Sequence, residues 1–249
     1  MLLVYCMAGL YKRFRDAGYL TPKFLLPWEG RPALDHVIGT MYDASVFSDV
    51  VLVANQRDQP SADSIRRVMA AHNIPPNRLT FVPDTRGQAE TALLGLDHLD
   101  RIGASPDRPV LFHNIDTVLI GRDYRTINRT LHEAHGYIDV FDADSPAYSY
   151  VSADAAGRVS KIAEKIVISR HATTGLYGFA SARVYREHAG ATAYRGEFYI
   201  SDVYRSMLEA ERDIRINTSS TEHRTIIVGT PAEYEALVGP EAGHARSFR

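Results

Sequence analysis

LLVYCMAGLYKRFRDAGYLTPK, residues Leu2–Lys23, decides how this chain is read. An apolar strand (Leu2 to Cys6) runs into Met7-Ala8-Gly9. A bend carrying Lys12, Arg13 and Arg15 follows, then Thr21-Pro22-Lys23 ahead of another apolar run. A strand that ends in a small residue and opens into a cationic bend can place backbone N–H groups and fixed positive charge around one phosphate chain. The segment therefore points to a polyphosphate site, most simply for a nucleoside triphosphate. Gly9 would let backbone approach the ligand, and Arg13 and Lys23 would neutralise phosphate charge. A solvated cationic turn between strand and helix is the plainer alternative.

Working outward, short apolar runs alternate with amphipathic stretches. Leu2–Met7, Val50–Ala54, Leu79–Val82 and Val110–His113 read as strands buried on both faces. Between them Pro32–Tyr42, Ser61–His72 and Gln88–Leu99 have helical spacing, with Ser61 and Asp63 as start signals. Such alternation predicts an α/β fold with a mixed, mostly parallel central sheet and helices on both faces. The second half changes character. Tyr137–Phe141, Tyr148–Ser152, Arg158–Glu164 and Gly175–Phe179 read as strands, with Asp154-Ala155-Ala156-Gly157 as a tight hairpin turn. Helices are expected at Ala182–His188 and Tyr199–Ala210, and strands at Ile214–Asn217 and Thr225–Val228. Thr230-Pro231 should cap a last helix through Leu237. The expectation is one domain over 1–238, with a nucleotide-binding half (1–125), a smaller, more antiparallel acceptor-binding half (126–238) and a flexible tail at 239–249.

Composition narrows the field. The 249 residues are 45% hydrophobic and 23% charged, which suits a compact soluble protein. A net charge of −2 provides no basic field for nucleic acid. No stretch approaches the roughly 18–20 apolar residues of a membrane span, and no cleavable signal pattern opens the chain. The lone Cys6 cannot form an internal disulfide, so a reducing cytoplasm is expected. Oligomeric state stays open, a homo-oligomer included.

Ligands of open parallel sheets lie across the carboxyl ends of the strands. Two segments follow strands directly and belong on that edge: Met7-Ala8-Gly9 and Asn114-Ile115-Asp116. Asp116 is a natural Mg²⁺ ligand, because Mg²⁺ takes one or two carboxylates plus phosphate oxygens; otherwise it caps the segment starting near Gly121. Gly87 permits close approach and Gln88 can present donor and acceptor to a base edge, unless the pair merely starts a helix. Lys165, after Glu164, can hold a second phosphate, or it is a surface ion pair. Thr174, Gly175 and Glu197 carry no chemistry on their own, and Glu197 reads equally as a helix cap. Asp142 and Asp144, two apart, give a minority metal reading.

Taken in order, these segments resemble the sugar-phosphate nucleotidyltransferases, or nucleoside-diphosphate-sugar pyrophosphorylases, over nearly the whole chain. Ala8-Gly9-Leu10-Tyr11-Lys12-Arg13-Phe14 and Pro22-Lys23-Phe24-Leu25-Leu26-Pro27 match the family's A-G-x-G-x-R-F/L and P-K-x-L-L-P. Gly30-Arg31-Pro32-Ala33-Leu34 is similar to G-K-P-M-I. Asn114-Ile115-Asp116 matches N-x-D, Glu164-Lys165 the E-K pair, and Thr174-Gly175-Leu176-Tyr177 the T-G-x-Y element. Gly196–Asp202 matches G-E-x-x-I-T-D, and Gly229-Thr230-Pro231 with Tyr234 matches the closing G-T-P-x-x-Y. The resemblance implies a Rossmann-like, GT-A-like fold and a Mg²⁺-dependent reaction of a nucleoside triphosphate with a small phosphorylated acceptor. It implies that Ala8, Gly9, Arg13, Lys23 and Asn114 meet the nucleotide and that Gly87 and Gln88 face the base. Asp116 would hold the metal, Lys165 would meet the acceptor phosphate, and Thr174, Gly175 and Glu197 would line the acceptor pocket; Arg13, Lys23 and Lys165 would be catalytic.

Two departures stand out. The second glycine of the phosphate loop is absent, with Tyr11-Lys12 in its region. Ile227 occupies the place of the Asp that serves the family as second metal ligand, leaving Asp202 or Glu222 to supply the oxygen, or Asp116, water and phosphates alone to hold the metal. The short length argues against the acetyltransferase-fused members. The opening and the Glu164–Thr174 stretch also look similar to short cytidylyltransferases of surface-polysaccharide biosynthesis that activate non-sugar phosphates such as phosphocholine or phosphoglutamine. A GT-A glycosyltransferase using Asp142 and Asp144, and a catalytically silent nucleotide-binding protein, are the remaining readings.

Overall fold

In the computed structural model, residues 1–194, 196–217 and 223–239 are described. The strands are β1 (Leu2–Met7), β2 (Pro27–Trp28), β3 (Arg31–Pro32), β4 (Asp49–Asn55), β5 (Leu79–Val82), β6 (Val110–Asn114) and β7 (Thr117–Ile120). They continue as β8 (Gly136–Asp142), β9 (Tyr150–Ala153), β10 (Val159–Ala163), β11 (His171–Phe179), β12 (Ile214–Ile216) and β13 (Arg224–Ile227). The helices are α1 (Lys12–Asp16), α2 (Ala33–Met41), α3 (Ala62–Ala71), α4 (Gln88–Arg101), α5 (Tyr124–Glu133), α6 (Ala182–Ala191), α7 (Ile200–Glu209) and α8 (Pro231–Val238).

The central sheet runs β10-β9-β11-β6-β1-β4-β5, with β8 on β11 and β12 on β8. Its middle is parallel, β6-β1-β4-β5, as the continuous apolar runs require. Antiparallel β11 joins this to the second half through β6, β8 and β9. The strand period of two sends alternate residues of β1 to opposite faces. Leu2, Val4 and Cys6 pack with Leu96, Tyr185 and Tyr204 under α4, α6 and α7. Leu3, Tyr5 and Met7 pack with Leu34, Ile65 and Ile127 under α2, α3 and α5. The fold is thus a mixed, mostly parallel sheet with helices on both faces. Among the described residues no helix is long and apolar enough to cross a membrane.

Several local expectations meet their physical causes. Gly157 takes φ +76 in the Asp154–Gly157 turn, and the Asp154 carboxylate accepts from Ala156 N and Arg158 N at 2.9 Å each. Thr230 Oγ1 accepts from Glu233 N at 3.3 Å, capping α8 with Pro231 in its first turn. Ser61 stands at the N-cap of α3 and Asp63 in its first turn, as start signals should, but the Ser61 side chain makes no capping bond. A 3₁₀ turn, Gln56–Ser61, leads into α3, and it is Asn55 whose side chain accepts from Arg57 N. Thr117–Ile120, between Asp116 and the segment near Gly121 it would otherwise have capped, leaves the main sheet as β7 and pairs with distant β13. α5 starts instead at Asp123, which accepts from Arg125 N and Thr126 N. The expected tail begins at Gly239; residues 240–249 lie outside the described residues.

Candidate active site

Parallel register places the site. Cys6 of β1 stands opposite Asn114 of β6, so the loops that follow, Ala8-Gly9 and Ile115-Asp116, leave the sheet side by side. They open onto a cleft of about 700 Å³. Arg13, Lys23 and Asp116, distant along the chain, all line it, together with Ala8, Gly9, Gly87, Gln88, Asn114, Thr174, Gly175 and Glu197.

At one end is the cationic loop. Lys23 follows Pro22 in a short 3₁₀ turn, and its ammonium pairs with the Asp116 carboxylate. The lysine side chain is 14% exposed and the aspartate 36%, so the pair presents its carboxylate side to the cleft. Tyr11, where the second glycine is missing, adopts the left-handed backbone a glycine would favour, φ +35, and caps α1. Its hydroxyl donates to Asp58 at 2.5 Å. Asp58 is buried, and that burial raises its carboxyl pKa despite the tyrosine bond and nearby arginines. The bulky residue therefore keeps the loop's shape and fastens it to the body of the protein.

In the middle, Gly87 at φ +149 precedes α4. A Cβ there would lie 2.4 Å from the Phe198 carbonyl oxygen. Phe198 N donates to Arg86 O at 2.8 Å and Ala89 N donates to Phe198 O at 3.1 Å. The loop expected at the base is thus joined to the loop carrying Glu197. The Gln88 amide donates to Asn114 Oδ1, which engages these two side chains with each other. Gly175, at φ +88, breaks the β11–β8 register, and a Cβ on it would sit 3.0 Å from Asn114.

The far end is bounded by Tyr148, Ser149, Glu164, Tyr177, Glu197, Tyr199 and Ser201. Glu164 accepts from the Ser149 hydroxyl and from Ser201 Oγ at 2.9 Å. Lys165 does not itself line the cleft. Its ammonium donates to Tyr199 Oη at 2.8 Å and lies 4.7 Å from that ring's centre, while Tyr199 donates to Glu197 at 2.5 Å. The bond the Lys165 ammonium donates to Tyr199 is the main reason its pKa is raised. Glu197 does not cap α7; Asp202 does, accepting from Tyr199 N at 3.0 Å. Glu164 and Tyr199 carried no role in the sequence reading, although both sit inside its matched segments. Glu164 follows β10 and Tyr199 precedes α7, and the packing of that helix on that strand brings them into one wall, which spacing could not supply.

The metal question divides cleanly. Among the described residues no group of three or more His, Cys, Asp and Glu gathers. Mg²⁺ needs fewer, and Asp116, exposed on its cleft side beside a cationic loop, fits a metal that also takes phosphate oxygens. Ile227 lines the cleft and offers no oxygen. Asp202 is engaged as a cap and by Arg205 at 3.0 Å, and it does not line the cleft. Glu222 lies outside the described residues. Asp142 pairs with Arg170 at 2.8 Å in the open, and neither it nor Asp144 lines the cleft.

Comparison with known proteins gives a consistent picture. Residues 7–196 match the family described as the MobA-like NTP transferase domain. The bifunctional protein GlmU of Burkholderia ambifaria strain MC40-6 is 26% identical over 255 residues, spanning 95% of this chain and 51% of that protein. The chain thus spans about half the length of the curated relatives it matches. The nucleoside-diphosphate-sugar pyrophosphorylase from Vibrio cholerae RC9 superposes with a TM-score of 0.79 at 26% identity, over 95% of this chain and 99% of that one. The inositol-1-phosphate CTP transferase from T. maritima, at 14% identity and a TM-score of 0.71 over 98% of this chain and 94% of that one, shares the fold.

Proposed function

The chain belongs to the MobA-like NTP transferase domain family, and from that premise we propose that it moves a nucleotidyl group from a nucleoside triphosphate to a small phosphorylated acceptor, releasing pyrophosphate. The acceptor is a sugar 1-phosphate or a related phosphate, and the product is an activated precursor of surface polysaccharide made in the cytoplasm. The observation that carries this reading is the Lys23–Asp116 pair in an open cleft with Arg13, where the ends of β1 and β6 adjoin.

The chemistry needs no general base. An acceptor phosphate oxygen, already anionic near neutral pH, attacks the α-phosphorus in line. The bond from the α-phosphorus to the bridging oxygen breaks, and pyrophosphate leaves with the electron pair. Catalysis then consists of positioning and charge neutralisation. Arg13 and Lys23 bind the triphosphate tail, with Ala8 and Gly9 allowing its close approach. Gly87, Gln88 and Asn114 shape the base end. Thr174, Gly175 and Glu197 seat the acceptor, and Lys165 holds its phosphate from the rim. Asp116 would hold Mg²⁺, which supplies charge neutralisation at the phosphate oxygens when bound.

A pyrophosphate-release screen of the common nucleoside triphosphates against phosphorylated sugars, phosphocholine and phosphoglutamine tests the reading. Release with one pairing is expected; CTP with a non-sugar phosphate would place the chain with the cytidylyltransferases. Nucleotide binding without release for any pairing overturns the transferase in favour of a silent binding protein. Consumption of a nucleotide-sugar without pyrophosphate overturns it in favour of a glycosyltransferase.

A further inference from the structure

We propose that Glu233 is the second carboxylate of the divalent-cation site, supplying across Gly229 the oxygen that Ile227 cannot. The inference rests on the nucleotidyltransferase reading and assigns a site residue that reading leaves vacant.

A glutamate three residues after a threonine N-cap ordinarily closes a capping box by accepting the cap residue's backbone N–H. Glu233 makes no such bond among the described residues. Its Oε2 accepts from the Thr230 hydroxyl at 2.8 Å and its Oε1 from Tyr148 Oη at 3.3 Å. The carboxylate is thereby held in the wall of the cleft, on the same side as Asp116.

Gly229 lies between the two acids. Asp116 Oδ2 is 3.4 Å and Glu233 Oε2 is 3.6 Å from the point a Cβ on Gly229 would occupy. A glycine there leaves open the space both oxygens border. The backbone fixes this arrangement. Thr117 pairs with Ile227 across β7 and β13, and Val228 N donates to Asp116 O at 2.8 Å. Asp116 and the start of α8 thus meet at one end of this two-stranded ribbon. Two carboxylates from one side, with phosphate oxygens from the other, is the donor set Mg²⁺ prefers.

The test is Mn²⁺ binding, followed by electron paramagnetic resonance in the presence of inorganic tripolyphosphate. Four full-length proteins are compared: wild type, Asp116→Asn, Glu233→Gln, and Glu233→Gln combined with Ile227→Asp. Glu233→Gln is expected to weaken Mn²⁺ by about tenfold or more, the scale seen even for supporting groups at metal sites. Ile227→Asp, which puts a carboxylate where the family resemblance implies one, should recover most of that loss. Glu233→Asp, which withdraws the carboxylate by one methylene but keeps its charge, should also weaken binding if Glu233→Gln does not fold. Wild-type Mn²⁺ affinity in the Glu233 variants, with loss confined to Asp116→Asn, overturns the assignment and leaves the transferase reading intact. Unchanged Mn²⁺ binding in Asp116→Asn as well overturns both.

Discussion

Tyr11 shows how a single side chain can take over a glycine's post. A non-glycine residue at φ +35 is strained by about 1–2 kcal/mol, and the hydroxyl bond to buried Asp58 offsets that cost. Tyr11→Phe removes the donor while keeping the ring. Stability should fall by about 1–3 kcal/mol, the penalty of depriving a buried acceptor, and the affinity for tripolyphosphate should fall with it as the loop loosens. Urea midpoints and calorimetric titration check the two effects. Lys165 makes the opposite case, a charge held at the rim by Tyr199. Lys165→Ala should raise the KM for the phosphorylated acceptor by about tenfold or more, the worth of one charge-assisted hydrogen bond, and leave tripolyphosphate binding unchanged. Equal loss of both would show that the lysine does not serve the acceptor. At this scale Arg13, Lys23 and Asp116 were legible, because strand ends next to cations have a direct chemical meaning. Glu233 was not, since in sequence it is an ordinary third residue of a helix.

Among the elements, β6 carries a built-in pH response. His113 is fully buried beside Tyr5, their ring centres 6.0 Å apart, and desolvation followed by the Arg122 charge depresses its pKa to about 3. The folded value lies below the unfolded 6.5, so the unfolded chain binds the extra proton between these limits. The stabilisation is therefore complete above pH 6.5 and is lost as pH falls toward 3. Wild type should lose roughly 3 kcal/mol from this group between pH 6.5 and 4, at 1.36 kcal/mol per unit. His113→Leu should flatten that part of the stability profile, as read from urea midpoints at each pH; an unchanged slope would contradict it. The strands of the parallel core were legible because burial on both faces leaves an unbroken apolar run. β7 was not, because its four residues find their partner only in β13, more than a hundred positions on. α5 escaped for another reason. Its inward residues Tyr124, Ile127 and Leu131 recur at helical spacing with polar residues between them, but only three apolar positions carry that pattern across the ten residues.

For the molecule as a whole, the two expected halves are not packed as separate bodies. Leu3 and Tyr5 share a core with Tyr137 and Leu176, and Leu2 and Val4 share one with Phe179 and Tyr204. A fragment of residues 1–125 should therefore fail to fold, with circular dichroism showing no cooperative thermal transition, while the intact chain melts in one step. A folded fragment would make the halves true domains. The mixed sheet could be inferred from strand–helix alternation, but the merging of the cores could not, since it depends on β11 running antiparallel between the halves. The pairing of β7 with β13 has a temporal meaning as well. Tyr234, just beyond it, packs on Phe14 and Tyr19 and donates to Pro27 O across 207 residues of chain. A ribosome that has already released the phosphate loop must keep translating until that tyrosine emerges. Until then the nascent polypeptide owns every cation of the site but lacks the ring that packs behind the phosphate loop, so its full grip on triphosphate should come only late in synthesis.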